Sequence, residues 1–272
     1  MKLSYQVAMP EVTPSHFLTA YHGDLREGYR LLKENGYDAA ELMICHTGKE
    51  TVDTIRRLGK EFGIAVSMLA TGELYGRDGL ALSNPDPEIR ERCIKRFYEF
   101  IDIGKEFGAQ VNIGRARGLY FPNVPHDETE RLALESFKII SKYAEKQGVI
   151  LILEPVNFLQ CDFILSTADG REWVDKVGSP NFRIMLDTFH MNIEDKNIID
   201  EIRASKGYFT YVHLSDNNRL YPGNCGLDFK AIIDAVAATG YDGYLSVEVL
   251  QQPDAATVIR ESAKHILPLM SK

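Results

Sequence analysis

Short apolar segments alternate with longer segments of mixed polarity along the whole chain. The short segments are rich in β-branched and aromatic residues, which is typical of buried strands. The pattern predicts eight strands, at 3–8, 39–44, 64–70, 110–115, 149–154, 182–187, 209–215 and 244–250. Apolar side chains recur at helical spacing between them, and the clearest helices are predicted at 87–108, 127–148 and 228–240.

The predicted helices carry recognisable start and stop residues. Asp127 and Asp228 precede apolar helical patterns and are predicted N-caps. Glycine follows most of the helical patterns, which predicts left-handed C-terminal residues leading into the next strand. These glycines are Gly36, Gly63, Gly108, Gly148 and Gly240.

The strict alternation of strands and helices predicts an α/β fold, a (β/α)8 TIM barrel formed by a single domain over residues 1–272. No linker or change in composition divides the chain. An open, doubly wound sheet is the alternative. It is disfavoured because no predicted strand is followed by a G-x-G-x-x-G turn, and "GRARG" at 114–118 lacks that spacing.

Composition excludes several classes of protein. The chain of 272 residues has a net charge of −8, whereas nucleic-acid binders usually present a basic face. Its four cysteines are scattered without a C-x-x-C pair, which indicates reduced thiols and a cytoplasmic location. It contains neither the apolar core of a signal peptide nor a run of about 18 apolar residues. We therefore expect neither a nucleic-acid partner nor a membrane partner.

Four residues that bind metals in many proteins lie at the ends of consecutive predicted strands. Glu154, Asp187, His213 and Glu248 follow one another at intervals of 26 to 35 residues. One unit of a (β/α)8 barrel takes about 30 residues, so the spacing places one such residue on each of strands five to eight. Active sites of these barrels lie at the C-terminal ends of the strands, where the four side chains are expected to converge.

Three carboxylates in one barrel mouth repel one another, and a divalent cation would remove that cost. Oxygen ligands with one imidazole suit Mn²⁺, Mg²⁺ or Co²⁺ better than a structural Zn²⁺ site, and Mn²⁺ is the favoured cofactor. Each residue also has an ordinary structural interpretation: a helix cap for Glu154, an Asx turn for Asp187, a core histidine for His213 and an ion pair for Glu248. Their shared position at four strand ends favours a common metal site.

Several segments resemble a known family. "LILEPVN", "MLDTFHMNIED", "YVHLSDNNRLYPG" and "GYLSVEVL" are similar to the xylose-isomerase-like sugar isomerase/epimerase superfamily, and most of all to its D-tagatose 3-epimerase group of ketose 3-epimerases. The resemblance implies that the four residues named above bind the metal. It also implies that Glu154 and Glu248 act as acid and base, and that His190 and Arg219 contact the substrate.

One segment departs from this family pattern. After "EPVN" such enzymes commonly carry an Arg and, two residues later, a Glu that touches the substrate, but this chain has Phe158 and Gln160 there. We expect Gln160 to line the substrate pocket and to alter its specificity. Arg115 and Arg117 end the fourth predicted strand; both could be exterior charges, or one, assigned as Arg117, binds an acid group of the substrate.

These features predict a metal-dependent isomerase of the epimerase type, inverting C3 of a ketose or keto-acid sugar through a cis-enediolate. An aldose–ketose isomerase such as a hydroxypyruvate isomerase shares the same motifs and remains an alternative. An endonuclease IV-type repair enzyme shares the fold but needs more metal ligands and a basic surface, and a non-catalytic sugar-binding protein is the last alternative. The partner is expected to be a small sugar, and the protein a homo-oligomer, either a dimer or a tetramer.

Overall fold

The fold is a closed barrel of eight parallel strands, as predicted. The computed structural model describes residues 1–270, so the last two positions of the predicted domain, 271–272, lie outside the described residues. Each strand pairs with the next along the chain, and the last pairs with the first. The strands are β1 Lys2–Ala8, β2 Ala39–Met43, β3 Ala65–Ala70, β4 Gln110–Ile113, β5 Leu151–Leu153, β6 Phe182–Asp187, β7 Phe209–Leu214 and β8 Tyr244–Val247.

Helices surround the barrel and connect successive strands. None of those in residues 1–270 is long and apolar enough to cross a bilayer. They are α1 Leu25–Glu34, α2 Lys49–Phe62, α3 Gly72–Gly76, α4 Pro87–Phe107, α5 His126–Gln147, α6 Thr167–Val177, α7 Thr188–Glu194, α8 Ile198–Ala204, α9 Phe229–Ala238 and α10 Ala255–Met270.

Most helix ends follow the sequence signals. All five predicted C-terminal glycines have positive φ, a region that suits glycine because it lacks Cβ. Asp228 caps α9 by accepting a hydrogen bond from the Ala231 backbone N–H at 3.0 Å. The prediction for Asp127 is wrong, because α5 begins at His126 with Pro125 in the cap position. Asp127 lies in the first turn, where its negative charge still favours the positive end of the helix.

Five strands end earlier than predicted at the mouth of the barrel, and the shortening of β4, β5 and β8 affects the site. β4 stops at Ile113, so that Arg115 and Arg117 lie in a short 3₁₀ helix, not on a strand. Glu154 and Glu248 directly follow β5 and β8. Their backbone N–H groups still bond to the neighbouring strands, to the carbonyls of Ile113 at 3.2 Å and Leu214 at 3.4 Å. Both side chains therefore keep the orientation that the strand would give them.

Side chains alternate between the helix layer and the barrel interior, with the period of two that a strand imposes. Outward residues of the strands are buried under the helices. Inside the barrel, Met68, Ile152, Met185 and Tyr211 form a small apolar layer. Glu154, Asp187 and His213 each lie two residues beyond a member of this layer and so point to the same interior. The apolar layer thus forms the floor of the candidate site.

Candidate metal and catalytic site

The four strand-end residues converge at the C-terminal mouth of the barrel. Glu154, Asp187, His213 and Glu248 each offer one ligand atom, and these atoms all lie within 4.8 Å of one another. The Nδ1 atom of His213 lies 3.1 Å from Oε2 of Glu248, 3.4 Å from Oδ2 of Asp187 and 3.7 Å from Oε1 of Glu154. Residues far apart in sequence thus form one cluster of three carboxylates and one imidazole.

Arg219 balances much of the negative charge. Its Nη1 lies 2.8 Å from both carboxylate oxygens of Asp187, and its Nη2 donates to Oε2 of Glu248. Burial alone would raise the pKa of both carboxyl groups. At Glu248, Arg219 and His213 together outweigh burial, so the pKa falls to about 2. At Asp187, Arg219 and the neighbouring histidines together hold the pKa well below its ordinary value. Both groups are therefore ionised at neutral pH.

The loop after β7 holds Arg219 in place. Arg219 has a φ of +60°, a conformation that side chains other than glycine rarely adopt. The buried carboxylate of Asp216 fixes this loop by accepting hydrogen bonds from the backbone N–H groups of Gly223, Cys225 and Leu227. The guanidinium also lies 4.9 Å from the ring centre of Phe189, which favours a fixed orientation.

The donor set fits a divalent cation. Nδ1 of His213 is buried and has no hydrogen-bond partner in the described part of the chain, although it faces three carboxylates. Burial alone would lower the pKa of His213, but the carboxylates of Glu41 and Glu248 hold it well above its usual value. A cation would take the place of this ring proton, because an imidazole that binds a metal is neutral. Three carboxylates and one imidazole are ligands typical of Mn²⁺, Mg²⁺ or Co²⁺.

The two glutamates are each held through the oxygen that faces away from His213. Oε2 of Glu154 accepts a hydrogen bond from Nδ2 of Asn112 at 3.0 Å. Oε1 of Glu248 accepts one from Nε2 of Gln6 at 3.1 Å, and the Thr19 hydroxyl lies at the same distance. β5 and β8 lie three strands apart in the ring of eight, so the two carboxylates enter the mouth from well-separated directions.

His190 lies on the first turn of α7, beside the cluster. Its Nε2 is 3.8 Å from Oε1 of Glu154 and 3.9 Å from Oδ2 of Asp187. Burial lowers the pKa of His190, so the ring is neutral at neutral pH. Asp187 caps this helix, accepting hydrogen bonds from the backbone N–H groups of Phe189 and His190. The sequence "DTFH" thus brings a carboxylate and an imidazole to one site.

Arg117 and Gln160 are two further residues that were predicted to contact the substrate. Arg117 is fully buried, and its guanidinium donates to the backbone carbonyls of Glu154 and, at 3.2 Å, Ile164. It supports the backbone at Glu154, a position that does not fit its predicted contact with a substrate acid group. Gln160 is exposed in the turn after Asn157, and its side chain makes no hydrogen bond within residues 1–270. That position gives no support to the prediction that Gln160 lines the pocket.

Arg115 is the arginine of this pair that remains accessible. Its guanidinium is exposed, makes no hydrogen bond or ion pair within the described residues, and lies beside Gly76 of α3. The preceding Gly114 lies close to the cluster: a Cβ placed there would come within 2.9 Å of Oε2 of Glu154. Arg115 therefore lies one residue from the wall of the site.

Several residues of the site were missed by the sequence reasoning. Gln6, Glu41 and Asn112 are buried polar side chains that point into the barrel from the apolar strands β1, β2 and β4. A polar residue inside an apolar strand was the available signal. Their partners lie at distant positions in the sequence, however, and no local pattern links each of these residues to its partner.

Comparison with known proteins agrees with this architecture. The family described as "Xylose isomerase-like TIM barrel" matches residues 29–269. The 3-dehydro-D-guloside 4-epimerase of Escherichia coli (strain K12) is 28% identical, over 88% of this chain and 92% of that protein. The D-psicose 3-epimerase of Enterocloster bolteae is 30% identical, over 78% of this chain and 72% of that protein.

A solved structure shows the same fold along the full chain. The crystal structure of an apo 3-keto-D-glucoside 4-epimerase from E. coli superposes with a TM-score of 0.81 at 23% identity, covering 100% of both chains. The predicted resemblance is confirmed, and so is the predicted enzyme class, since the relatives are named as epimerases that act on carbohydrates. The chain belongs to the xylose isomerase-like TIM-barrel family.

Proposed function

We propose that this protein is a metal-dependent epimerase that inverts the carbon next to the keto group of a sugar, with C3 of a ketose as the main candidate. The observation that carries the proposal is the pair of glutamates. Glu154 and Glu248 come from separate sides of the mouth, and each turns one oxygen toward the cluster, where Oε2 of Glu248 also accepts a hydrogen bond from Arg219. Two carboxylates placed on opposite faces of one carbon would serve as base and acid.

Each residue of the site would have a distinct task. One glutamate would take the proton from the substrate carbon, and the other would return a proton to the opposite face of the planar enediolate. His190 and Arg219 would donate hydrogen bonds to substrate oxygens as negative charge develops on them. A divalent ion held by Glu154, Asp187, His213 and Glu248 would supply Lewis acidity that stabilises that charge. Mn²⁺ is the proposed ion.

The test follows solvent deuterium into the substrate. The Mn²⁺-loaded protein is incubated in D₂O with ketopentoses, ketohexoses, keto-acid sugars and 3-keto-glycosides, and the products are analysed by NMR. The proposal expects an epimeric product that carries deuterium at the inverted carbon. Deuterium at C1 of a ketose, with aldose formation, would instead identify an aldose–ketose isomerase. The absence of reaction and exchange in every substrate would overturn the proposal.

The rim of the mouth favours including glycosides among the substrates. Among residues 1–270, three of the four exposed large apolar side chains lie on the loops after β1 and β5: Phe17 is 86% exposed, Phe158 61% and Leu159 70%. Phe17 is two residues before Thr19, whose hydroxyl contacts the Glu248 carboxylate. Phe158 directly follows Asn157, whose side chain contacts the His190 ring. The similarity to the E. coli 3-dehydro-D-guloside 4-epimerase also supports a keto-glycoside as the second candidate substrate.

A matched pair of variants tests the role of this rim. If the apolar side chains contact an aglycone, Phe158→Ser should raise KM for a phenyl 3-keto-glucoside and leave KM for a free ketose unchanged. Ile139→Ser is the control, because Ile139 is also an exposed large apolar residue but lies on α5. An equal effect of both substitutions on the glycoside would remove the rim from the proposed substrate site.

A further inference from the structure

Glu41 is a fully buried carboxylate whose role the proposed mechanism does not explain. It lies on β2, where its backbone is in register with Gln6 of β1. Its hydrogen-bond partners are Gln6, Tyr211, His213 and Ser246, and within residues 1–270 it forms no ion pair with lysine or arginine. A buried carboxylate is costly unless its partners compensate for lost hydration, so this arrangement calls for an explanation.

The closest contact of Glu41 with the proposed metal site is through His213. Oε2 of Glu41 lies 2.8 Å from Nε2 of His213, on the side of the ring away from the ligand cluster. Nδ1, on the other side, faces the carboxylates of Asp187 and Glu248. A neutral imidazole donates a hydrogen bond from one nitrogen and presents a lone pair on the other. A carboxylate at Nε2 therefore favours the ring form whose Nδ1 lone pair points at the cation position.

The second oxygen of Glu41 is connected to another proposed ligand. Nε2 of Gln6 lies 2.7 Å from Oε1 of Glu41 and 3.1 Å from Oε1 of Glu248, so one amide group bridges the two carboxylates. Oε1 of Gln6 accepts the Thr19 hydroxyl at 2.9 Å, which fixes the orientation of the amide. This leaves Oε2 of Glu248 facing His213 and Arg219. Glu41 thus restricts two of the four proposed ligands.

We infer that Glu41 is a positioning residue of the metal centre, which sets the tautomer and ring orientation of His213 and, through Gln6, the rotation of the Glu248 carboxylate. The inference rests on the proposed function, because it assumes that the cluster binds a divalent ion. Glu41 is not itself a ligand, since both of its oxygens bind other side chains and the imidazole ring separates it from the cluster. Carboxylates that orient a ligating histidine in this way commonly contribute substantially to metal affinity.

The experiment measures the Kd for Mn²⁺ by isothermal titration calorimetry on EDTA-stripped and dialysed protein. Glu41→Ala removes the acceptor for Nε2 of His213, and we expect Mn²⁺ binding to weaken about 10- to 100-fold. Glu41→Gln can keep an amide oxygen at Nε2, but its NH₂ group then faces the NH₂ group of Gln6. This variant should give an intermediate Kd, a partial rescue by the conservative substitution.

Two control variants separate positioning from general packing. Ser246 and Tyr211 donate to the same oxygen of Glu41 as His213 does, at 2.8 and 3.2 Å. Ser246→Ala and Tyr211→Phe each remove one of these hydrogen bonds and leave the Glu41–His213 contact in place. Both should lower the melting temperature of the metal-free protein and retain the wild-type Kd for Mn²⁺.

The outcomes distinguish this inference from the proposed function. Wild-type Mn²⁺ affinity in Glu41→Ala would overturn the role of Glu41 and leave the metal site standing. Equal weakening by Ser246→Ala and Glu41→Ala would also overturn it, because the effect would then come from the buried network as a whole. If Glu41→Ala does not fold, the comparison of Glu41→Gln with Ser246→Ala decides the question. A wild-type protein that binds no Mn²⁺ would overturn both the metal site and this inference.

Discussion

Asn157 holds His190 in a defined protonation form. Nδ1 of His190 lies 2.7 Å from Nδ2 of Asn157, and the Asn157 backbone N–H points at the same atom from 3.5 Å. Oδ1 of Asn157 accepts the backbone N–H of Leu159 at 3.0 Å, which identifies the other amide atom as the NH₂ group. Because Nδ1 receives these donors, the ring proton lies on Nε2, the atom that faces Glu154 and Asp187.

This relationship makes Asn157→Asp a test of His190 as a hydrogen-bond donor. The new carboxylate can still accept the Leu159 N–H, but it replaces a donor to Nδ1 by an acceptor and so favours the opposite tautomer. Turnover should fall by about 10²-fold, the scale for losing one donor to a developing oxyanion. Metal content should remain that of the wild type. Unchanged kcat, measured on the substrate found in the deuterium screen, would show that His190 donates nothing essential.

Removal of a ligand should release the metal and leave the fold intact. Asp187→Asn and His213→Ala are each expected to weaken Mn²⁺ binding by at least about 10²-fold, more than the loss of an outer partner. Elemental analysis after dialysis measures the bound ion, and circular dichroism checks the fold. Asp195→Asn is a suitable control, because Asp195 is a nearby carboxylate that bonds to Thr167 instead of the cluster. Full metal content in both ligand variants would exclude these residues as ligands.

The two glutamates should be separable by isotope exchange. Glu154→Gln and Glu248→Gln keep an oxygen for the metal and remove the base, so each should reduce epimerisation by about 10²-fold or more. Each variant should still exchange deuterium into one of the two substrate epimers, through the glutamate that remains. NMR of both epimers in D₂O provides the measurement. Turnover close to that of the wild type, with metal bound, would contradict a mechanism with two bases.

The sequence was sufficient to predict the cluster because two simple regularities apply to it. Strands alternate faces with a period of two, and parallel strands all end at the same mouth, so Asp187 and His213 could be placed together without coordinates. The same rule failed for Arg117. Strand β4 stops at Ile113 and the chain turns into a 3₁₀ helix, which buries Arg117 and exposes Arg115. Alternation does not predict side-chain direction once the chain leaves the backbone hydrogen bonds of the sheet, as it does at Arg115 and Arg117 but not at Glu154 or Glu248.

Glu41 shows a second limit of prediction from sequence. It lies within the apolar segment "AAELM", where one carboxylate has no local partner. Its function depends on His213, 172 positions further along the chain, and on the closure of the barrel that brings β2 opposite β7. Gln160 shows the converse case, since a residue at a family-specific position is exposed here and its side chain makes no hydrogen bond within the described residues.

Arg219 should extend the stability of the metal-free protein to low pH. In the folded protein the pKa of Glu248 is about 2, below its ordinary value of 4.5, because Arg219 and His213 together outweigh the effect of burial. A carboxyl group with a lowered folded-state pKa stabilises the fold above its unfolded-state pKa. That stabilisation is lost as pH falls through the folded-state value. For Glu248 the loss is expected between pH 4.5 and about 2.

The variant Arg219→Met tests this by removing the guanidinium. The pKa of Glu248 and Asp187 should then rise, so the fall in melting temperature on acidification should begin at higher pH than in the wild type. Thermal melts in EDTA between pH 2 and pH 7 measure how the melting temperature of each protein depends on pH. Arg203→Met is the control, since Arg203 is exposed on α8 and pairs with Asp200. Superimposable pH profiles for Arg219→Met and the wild type would contradict the assigned cause of the shift.

Arg115 and Arg117 are close in sequence, but their substitution should affect the stability of the protein differently. The buried guanidinium of Arg117 serves the carbonyls of Glu154 and Ile164, and a lysine cannot reproduce its planar fork. Arg117→Lys should therefore destabilise the protein by about 1–3 kcal/mol, the cost of leaving a buried acceptor unsatisfied. Chemical denaturation followed by circular dichroism measures this loss.

Arg115→Ala should leave the stability unchanged, because the side chain is exposed and makes no hydrogen bond in the described residues. If Arg115 binds an acid group of the substrate, its removal should raise KM for keto-acid sugars and leave KM for neutral ketoses unchanged. Kinetics on one acidic and one neutral substrate separate these effects. An equal loss of stability in Arg115→Ala and Arg117→Lys would contradict the different roles assigned here. A KM change of the same size for both substrates would exclude Arg115 as the residue that selects acidic sugars.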